Sequence, residues 1–460
     1  MSGLLHRTLQ SIADAHGDVL AVEGAGGPSS YRELLQSAES LAREFGSLAG
    51  ARVGVALEAT APMVSLLVAL DSLRADVFLM SGQLDSATLG RLADELHLDG
   101  VLGAPEQTPA WIYPPAPKGH AGNKNPKIGE SEGSVTLLTS GTTGVPKAVR
   151  HVWASLMRPV RTAGQYAGTR WLLPYPMHLY AGIQVFLQCC VNGATLVPLP
   201  AAVGPTELGE FLREQGVQYV SGTPSFWRKL LLFTPKATLH RLPLVQITLG
   251  GEAVTEDLMA ALAEAFPRAR LVHVYATSEL GRCFSVTDRH AGFPASYLED
   301  PPEPGVSLRI VDGELLVRSA NAMRAYDPLS GLQADMDEWF PTGDLVSIED
   351  ERVYFSGRRS DIINVGGNKV LPLDVERAVR EVPGVADVRV FPVRSSIVGE
   401  VVGADVVPSP GTSSKELQAR LVEHCLQRLQ PFQRPRTWRF VDSVRTTESG
   451  KVRRREVSQP

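Results

Sequence analysis

The run from Leu137 to Lys147, Leu-Leu-Thr-Ser-Gly-Thr-Thr-Gly-Val-Pro-Lys, constrains this chain more than any other stretch. Val135 to Leu138 read as a strand, and small hydroxyl residues, two glycines and a lysine follow at once. A strand that opens into such a loop can wrap a polyphosphate. Glycines let backbone N–H groups approach the anion, hydroxyls donate further hydrogen bonds, and lysine neutralises charge. The loop is not of the Walker type, which needs Gly-Lys followed by Ser or Thr. Here Pro146 precedes Lys147 and Ala148 follows it. By composition alone such a run is also an ordinary turn, and partners elsewhere in the chain must decide between the two.

With 460 residues the chain has room for a large domain and a smaller one. It is 43% hydrophobic and 21% charged, in the range of a globular protein rather than a disordered one. A net charge of -5 gives no global attraction for nucleic acid or an anionic membrane. The apolar stretch 63–70 ends at Asp71 and is too short to cross a bilayer, so no membrane insertion is expected. The first residues, Met1 to Arg7, lack the long apolar core of a signal peptide. Cys189, Cys190, Cys283 and Cys425 form no Cys-x-x-Cys pair, which points to a reducing cytoplasm.

Along the chain, helix and strand patterns alternate. Tyr31–Phe45 reads as an amphipathic helix, with Leu34, Leu35, Ala38, Leu41 and Ala42 on one face and Ser29 or Ser30 as its cap. Residues 52–57 read as a strand, and 61–73 and 86–96 as helices. Residues 104–133 are rich in Pro, Gly, Lys and Asn and read as a loop. Strands are expected at 194–198, 219–220, 245–249 and 271–275, and helices at 205–215 and 225–232. Ligands of open α/β sheets bind at the carboxyl ends of such strands. Residues 314–318 and 352–355 suggest a later antiparallel section. A boundary is expected near 357–361, followed by strand, helix, strand, strand, helix and strand. The expected fold is α/β: a large N-terminal domain (1–357) of layered sheets and helices, with a smaller α+β lid (358–460).

Thr139-Ser140-Gly141-Thr142-Thr143-Gly144-x-Pro146-Lys147 has eight fixed positions in nine residues and resembles the phosphate loop of the acyl-adenylate-forming superfamily. That superfamily includes acyl-CoA and aryl-CoA synthetases, adenylation domains of nonribosomal peptide synthetases, and firefly-type luciferases. Further segments match in order. Tyr275-Ala276-Thr277-Ser278-Glu279 is similar to the family's Tyr-Gly-x-Thr-Glu. The resemblance implies that Tyr275 stacks on adenine, Ser278 touches the α-phosphate and Glu279 holds Mg²⁺. Two departures stand here: serine for threonine, and Ala276 for glycine. Gly250-Gly251-Glu252-Ala253 resembles the segment lining the adenine and acyl pockets. Asp344 of Thr342-Gly343-Asp344 would bind the ribose hydroxyls, assisted by Arg358. Ser360 takes the hinge position, where the family often has Asp or Lys. Gly366 and Gly367 match the lid loop that swings in toward a thiol. Thr447-Glu448-Ser449-Gly450-Lys451 resembles the terminal Ser-Gly-Lys motif, in which Lys451 would bridge the attacking carboxylate and the α-phosphate; the usual preceding Pro-Arg is replaced by Arg445 and Thr446.

The segment from Leu173 to Gly182 matches the one whose His or aromatic residue guards the acyl pocket, which makes His178 the candidate. Tyr180, Gly250, Ala276, Cys283 and Phe284 are further candidate walls. Amino-acid activators carry an aspartate here, and no acid occurs between residues 172 and 184. The expected substrate is therefore a compact apolar or aromatic acid, with ATP and Mg²⁺. Coenzyme A is the first choice of acceptor, and the phosphopantetheine arm of an acyl carrier protein the second. Intramolecular use of the adenylate is a third course, and a nucleotide-binding relative without turnover the reading from another class. Asp71-Ser72-Leu73 echoes the serine site of carrier domains. It lacks the usual glycine (Ala69 stands there) and reads as a helix ending in a polar pair.

Overall fold

The computed structural model describes residues 3–24, 27–104, 108–114, 133–139, 147–327 and 338–455. Among them, two largely parallel sheets face each other across a layer of helices. The first has eight strands, in the order Gly281–Val286, Arg270–Thr277, Gln246–Gly250, Tyr219–Gly222, Arg170–Leu173, Thr195–Pro198, Leu20–Gly24 and Gly27–Ser30. Its six inner strands are parallel and the two outermost antiparallel. The second sheet has seven strands, in the order Ala325–Tyr326, Lys147–Val152, Ser134–Thr139, Asp76–Met80, Arg52–Ala56, Gly100–Gly103 and Ala110–Tyr113.

One contiguous core joins the facing sides of both sheets through the helices Leu4–His16, Tyr31–Phe45, Ala61–Ser72 and Tyr180–Asn192. Local sequence explains the clearest of these. Ser30 accepts from the Glu33 N–H, and the Glu33 carboxylate returns to the Ser30 N–H, a reciprocal cap that satisfies two orphan donors. Leu34, Leu35, Ala38 and Leu41 are buried beneath it. Ala61–Ser72 is apolar all round, as a helix sandwiched between sheets must be. At its end Ser72 Oγ donates to the Ala69 carbonyl and Asp71 accepts from the His6 N–H, so the carrier-like tripeptide is a helix terminus.

A five-stranded antiparallel sheet follows: Phe293–Pro294, Arg352–Arg358, Phe340–Glu349, Glu314–Ser319 and Val306–Val311. The last sheet pairs Asn368–Val370, Ile363–Val365, Gly399–Pro408 and Val385–Ser395, with Thr437–Phe440 parallel to Gly399–Pro408. Helices Pro372–Arg380 and Ser414–Arg428 bury Val375, Val379, Leu417 and Leu421 against it, giving a separate apolar core. The fold is thus the expected mixed α/β one, with a large N-terminal part and a smaller C-terminal α+β part.

Two local expectations need correction. Ala110–Tyr113 is an edge strand inside the stretch expected to be loop; Trp111 packs edge-on against Phe45 at 5.7 Å, and that tertiary contact overrides its loop-like surroundings. The C-terminal part opens with a hairpin, Ile363–Val365 and Asn368–Val370, where one strand was expected.

Candidate active site

Strands Ser134–Thr139 and Lys147–Val152 pair antiparallel, with Thr139 opposite Lys147. The phosphate-loop residues between them, including Ser140, Gly141, Thr142, Thr143 and Gly144, lie outside the described residues. The strand leading in is parallel to Asp76–Met80, so the loop leaves from a carboxyl end within the sheet. The returning strand carries His151, fully buried, whose Nε2 donates to the Ser278 carbonyl at 2.7 Å. A carbonyl only accepts, so this nitrogen bears the proton. Burial pushes the His151 pKa down to about 4, which keeps the ring neutral. His151 therefore ties the phosphate-loop strand to the Ser278–Glu279 turn, a link with no counterpart in the motifs read from sequence.

Tyr275 ends its parallel run beside Asp344. Its hydroxyl donates to Asp344 Oδ2 at 2.6 Å, and Arg358 Nε donates to Oδ1 at 3.0 Å. Register explains the second contact, because Asp344 and Arg358 are cross-strand partners. Asp344 is buried, and its charge lifts the Arg358 pKa above the usual value. A carboxylate oxygen can accept two hydrogen bonds and each here accepts one of these, which leaves capacity for a ligand hydroxyl. The Tyr275 ring stacks on Phe284 and Phe355, with centroids 5.2 and 5.0 Å away. Its aromatic contacts in this state are therefore to the protein. The following turn is closed by Thr277 Oγ1, which accepts from the Leu280 N–H, and by the Met323 N–H, which donates to the Glu279 carbonyl.

Lys451 comes from the other end of the chain. Thr447 N–H donates to the Lys451 carbonyl and Gly450 N–H to the Thr447 carbonyl, a tight turn with Gly450 at φ +74°. The turn is docked on the large domain. Thr223 Oγ1 donates to the Gly450 carbonyl at 3.1 Å, and the Val452 N–H donates to Glu252 Oε1 at 2.6 Å. Gly251, at φ +82°, lies directly under the lysine: a Cβ there would come 3.0 Å from Lys451 Cε. Burial lowers the Lys451 pKa and Arg358 adds to this; Asp344, Glu252 and Glu279 oppose it. The ammonium thus shares one electrostatic neighbourhood with Asp344, Arg358 and Glu279.

Glu252 is engaged by main chain on both sides, since Oε2 also accepts from the Ser225 N–H at 3.0 Å. It joins a helix start to the lysine turn, a role that Gly-Gly-Glu alone did not disclose. Gly250 abuts the Val274 carbonyl, 3.3 Å from an added Cβ, and Ala253 follows half-buried.

His178 is nearly buried, and its Nε2 lies 3.2 Å from the Glu448 carboxylate. Tyr180 is buried in the inter-sheet core, with half-buried Ala276 packed against the same core. Cys283 is fully buried beside Phe284 in the core of the antiparallel sheet, and its thiol donates to the Gly281 carbonyl. Burial raises that thiol's pKa. His178 and Lys451 are linked through the lysine turn, whereas Cys283 sits in a separate core. Ser360 is exposed in the single turn Arg359–Asp361, and its carbonyl accepts from Arg455 Nε at 3.1 Å. Gly366 and Gly367, at φ +54° and +89°, form an exposed hairpin tip that only glycine-like residues favour. Among the described residues, nothing lies within 4 Å of a Cβ built on Gly367.

Among the described residues, no three His, Cys, Asp or Glu side chains cluster as a metal cage. A single carboxylate such as Glu279 suits Mg²⁺, which takes one or two carboxylates together with phosphate oxygens. Among those residues, too, no helix is long and apolar enough to cross a membrane.

Comparison with known proteins gives the family. The AMP-binding enzyme family matches residues 9–327, and the AMP-binding enzyme C-terminal domain matches residues 374–451. A 3-[(3aS,4S,7aS)-7a-methyl-1,5-dioxo-octahydro-1H-inden-4-yl]propanoyl:CoA ligase of Rhodococcus jostii is 32% identical over 69% of this chain and 63% of its own length. A 2-succinylbenzoate–CoA ligase of Lactococcus lactis is 25% identical, with 93% of this chain and 95% of that enzyme aligned. The crystal structure of the anthranilate CoA ligase AuaEII in complex with anthranoyl-AMP superposes with a TM-score of 0.78, covering 97% of this chain and 95% of the other at 17% identity. The chain therefore belongs to the AMP-binding enzyme family, the acyl-adenylate-forming superfamily.

Proposed function

We propose that this chain activates an aromatic or short carboxylic acid with ATP and passes the acyl group to the pantetheine thiol of coenzyme A. In the first step a carboxylate oxygen attacks the α-phosphorus, the bond to pyrophosphate breaks, and acyl-AMP forms. Two anions must meet, so the barrier falls chiefly through positioning and fixed positive charge. The observation that carries this reading is Lys451, held over Gly251 in the same neighbourhood as Asp344, Arg358 and Glu279. In this reading Lys451 bridges the two anions, Asp344 and Arg358 receive the ribose, Tyr275 borders the adenine, and Ser278 meets the α-phosphate. Residues 139–147 hold the outer phosphates. Mg²⁺, when bound at Glu279, neutralises phosphate charge.

In the second step the thiol sulfur attacks the acyl carbon and AMP leaves with the bonding electrons. One cleft cannot hold pyrophosphate and a thiol in the same place, so the lid, 358–460, turns about Ser360 and presents Gly366 and Gly367 to the pantetheine arm. An aromatic or compact acid is favoured because residues 172–184 hold no carboxylate for an α-ammonium. The relatives named for 2-succinylbenzoate and anthranilate support the aromatic choice.

The test is ATP-dependent pyrophosphate release over a panel of acids, with hydroxylamine trapping the activated acyl group. Response to aromatic or short acids and none to amino acids is expected. Response confined to amino acids would overturn the substrate class, and silence across the panel would favour a nucleotide-binding relative without turnover. Product analysis with coenzyme A and with a carrier protein bearing a free phosphopantetheine thiol separates the two acceptors.

A further inference from the structure

The lysine turn meets the large domain at alternate residues. Gly450 and Val452 dock through their main chain, on Thr223 and Glu252. Glu448 docks through its side chain: a single oxygen, Oε1, accepts from Ser81 Oγ at 2.9 Å and lies 3.2 Å from His178 Nε2. Ser81 follows the strand Asp76–Met80, and His178 precedes the helix Tyr180–Asn192. One carboxylate thus gathers three segments: the catalytic-lysine turn, the end of a parallel strand, and the acyl-pocket stretch. The contacts at 450 and 452 use main-chain atoms alone. The contact at 448 needs a side chain that reaches and accepts.

We propose that Glu448 is a positioning residue for adenylation, registering the Lys451 turn against the acid-binding segment through His178 and Ser81. The proposal rests on the adenylating function above. When the lid sits as it does here, His178 Nε2 and the Ser81 hydroxyl both lie against one carboxylate oxygen, so the guard of the acyl pocket and the lysine turn move together. When the turn withdraws, His178 loses that contact and is released. Glu448 acts only in the first half-reaction, because Lys451 is needed only there. The carboxylate is about half exposed (51%), so its hydrogen bond from Ser81 and its contact with His178 are modest, together worth roughly fivefold to tenfold.

The experiment compares wild type, Glu448→Ala and Glu448→Gln, full length. Hydrogen exchange at the Val452 amide reads docking without any substrate. Kinetics are then read with whichever of benzoate, 3-hydroxybenzoate, 2-succinylbenzoate, butyrate and octanoate wild type turns over. The Ala variant should speed Val452 exchange and lower kcat for pyrophosphate release, each about fivefold to tenfold. Its KM for ATP should hold, as should its conversion of the matching synthetic acyl-AMP to thioester. Gln keeps an acceptor oxygen and should stay within about twofold of wild type in both readouts. Wild-type exchange in the Ala variant, equal loss of both half-reactions, or a Gln variant as impaired as Ala would each overturn the role. Wild-type silence on all five acids would instead count against the functional reading, while the exchange data still decide the docking claim.

Discussion

Tyr275 donates its hydroxyl to Asp344 at 2.6 Å although 69 residues separate them, and Arg358 holds the other oxygen of the same carboxylate. The carboxylate is thereby held by donors from two strands. Tyr275→Phe keeps the stack on Phe284 and Phe355 and removes only the donor. A hydrogen bond to a charged group contributes about 1.5–3 kcal/mol, so KM for ATP should rise by roughly tenfold or more while kcat changes less. Steady-state kinetics at varied ATP check this; an unchanged KM would mean that Asp344 needs no help.

Gly251 should tolerate no side chain. Its φ of +82° strains any L-residue, and an added Cβ would stand 3.0 Å from Lys451 Cε. Gly251→Ala is expected to slow adenylation at least tenfold, because a misplaced catalytic group is costly. Thermal unfolding should shift by only a few degrees, consistent with a cost of about 1 kcal/mol. Full activity in that variant would show that the lysine approaches by another path.

Acid should loosen the fold through two buried histidines. Burial depresses both His151 and His273 to about 4, from the usual 6.5. Between those values the unfolded chain binds more protons than the folded one, so stability rises with pH there and is lost as pH falls from 6.5 toward 4. His151→Gln keeps a donor for the Ser278 carbonyl but cannot titrate. Its unfolding midpoint should fall less steeply than wild type over that window, which denaturant titrations at several pH values would register. Parallel slopes for the two proteins would contradict the assignment.

Much of this architecture was legible where local chemistry and tertiary packing agree. The apolar face and a serine cap at 29 or 30 announce the helix Tyr31–Phe45 because both signals are local, and the structure settles on Ser30 with Glu33 as its partner. Ala110–Tyr113 was not legible, since the Phe45 contact that holds Trp111 lies far away in the sequence. The site divides the same way. Asp344, Arg358, Tyr275 and Lys451 stand out as motif positions, and the structure brings them together. The bonds that hold them do not stand out. Glu252 meets the Val452 amide 200 residues away, and Glu448 meets His178 only because the C-terminal part is docked. Such contacts depend on the pose of one part of the chain on another, which no spacing encodes.

The most direct measurement is Lys451→Ala, assayed in both half-reactions and for nucleotide binding. Loss of a fixed positive charge at the reacting phosphate should lower adenylation by about 10²–10³-fold. ATP binding should stay within a few fold, and thioester formation from synthetic acyl-AMP should persist. Pyrophosphate release at the wild-type rate in this variant would contradict the account, because the lysine over Gly251 would then be no part of the chemistry.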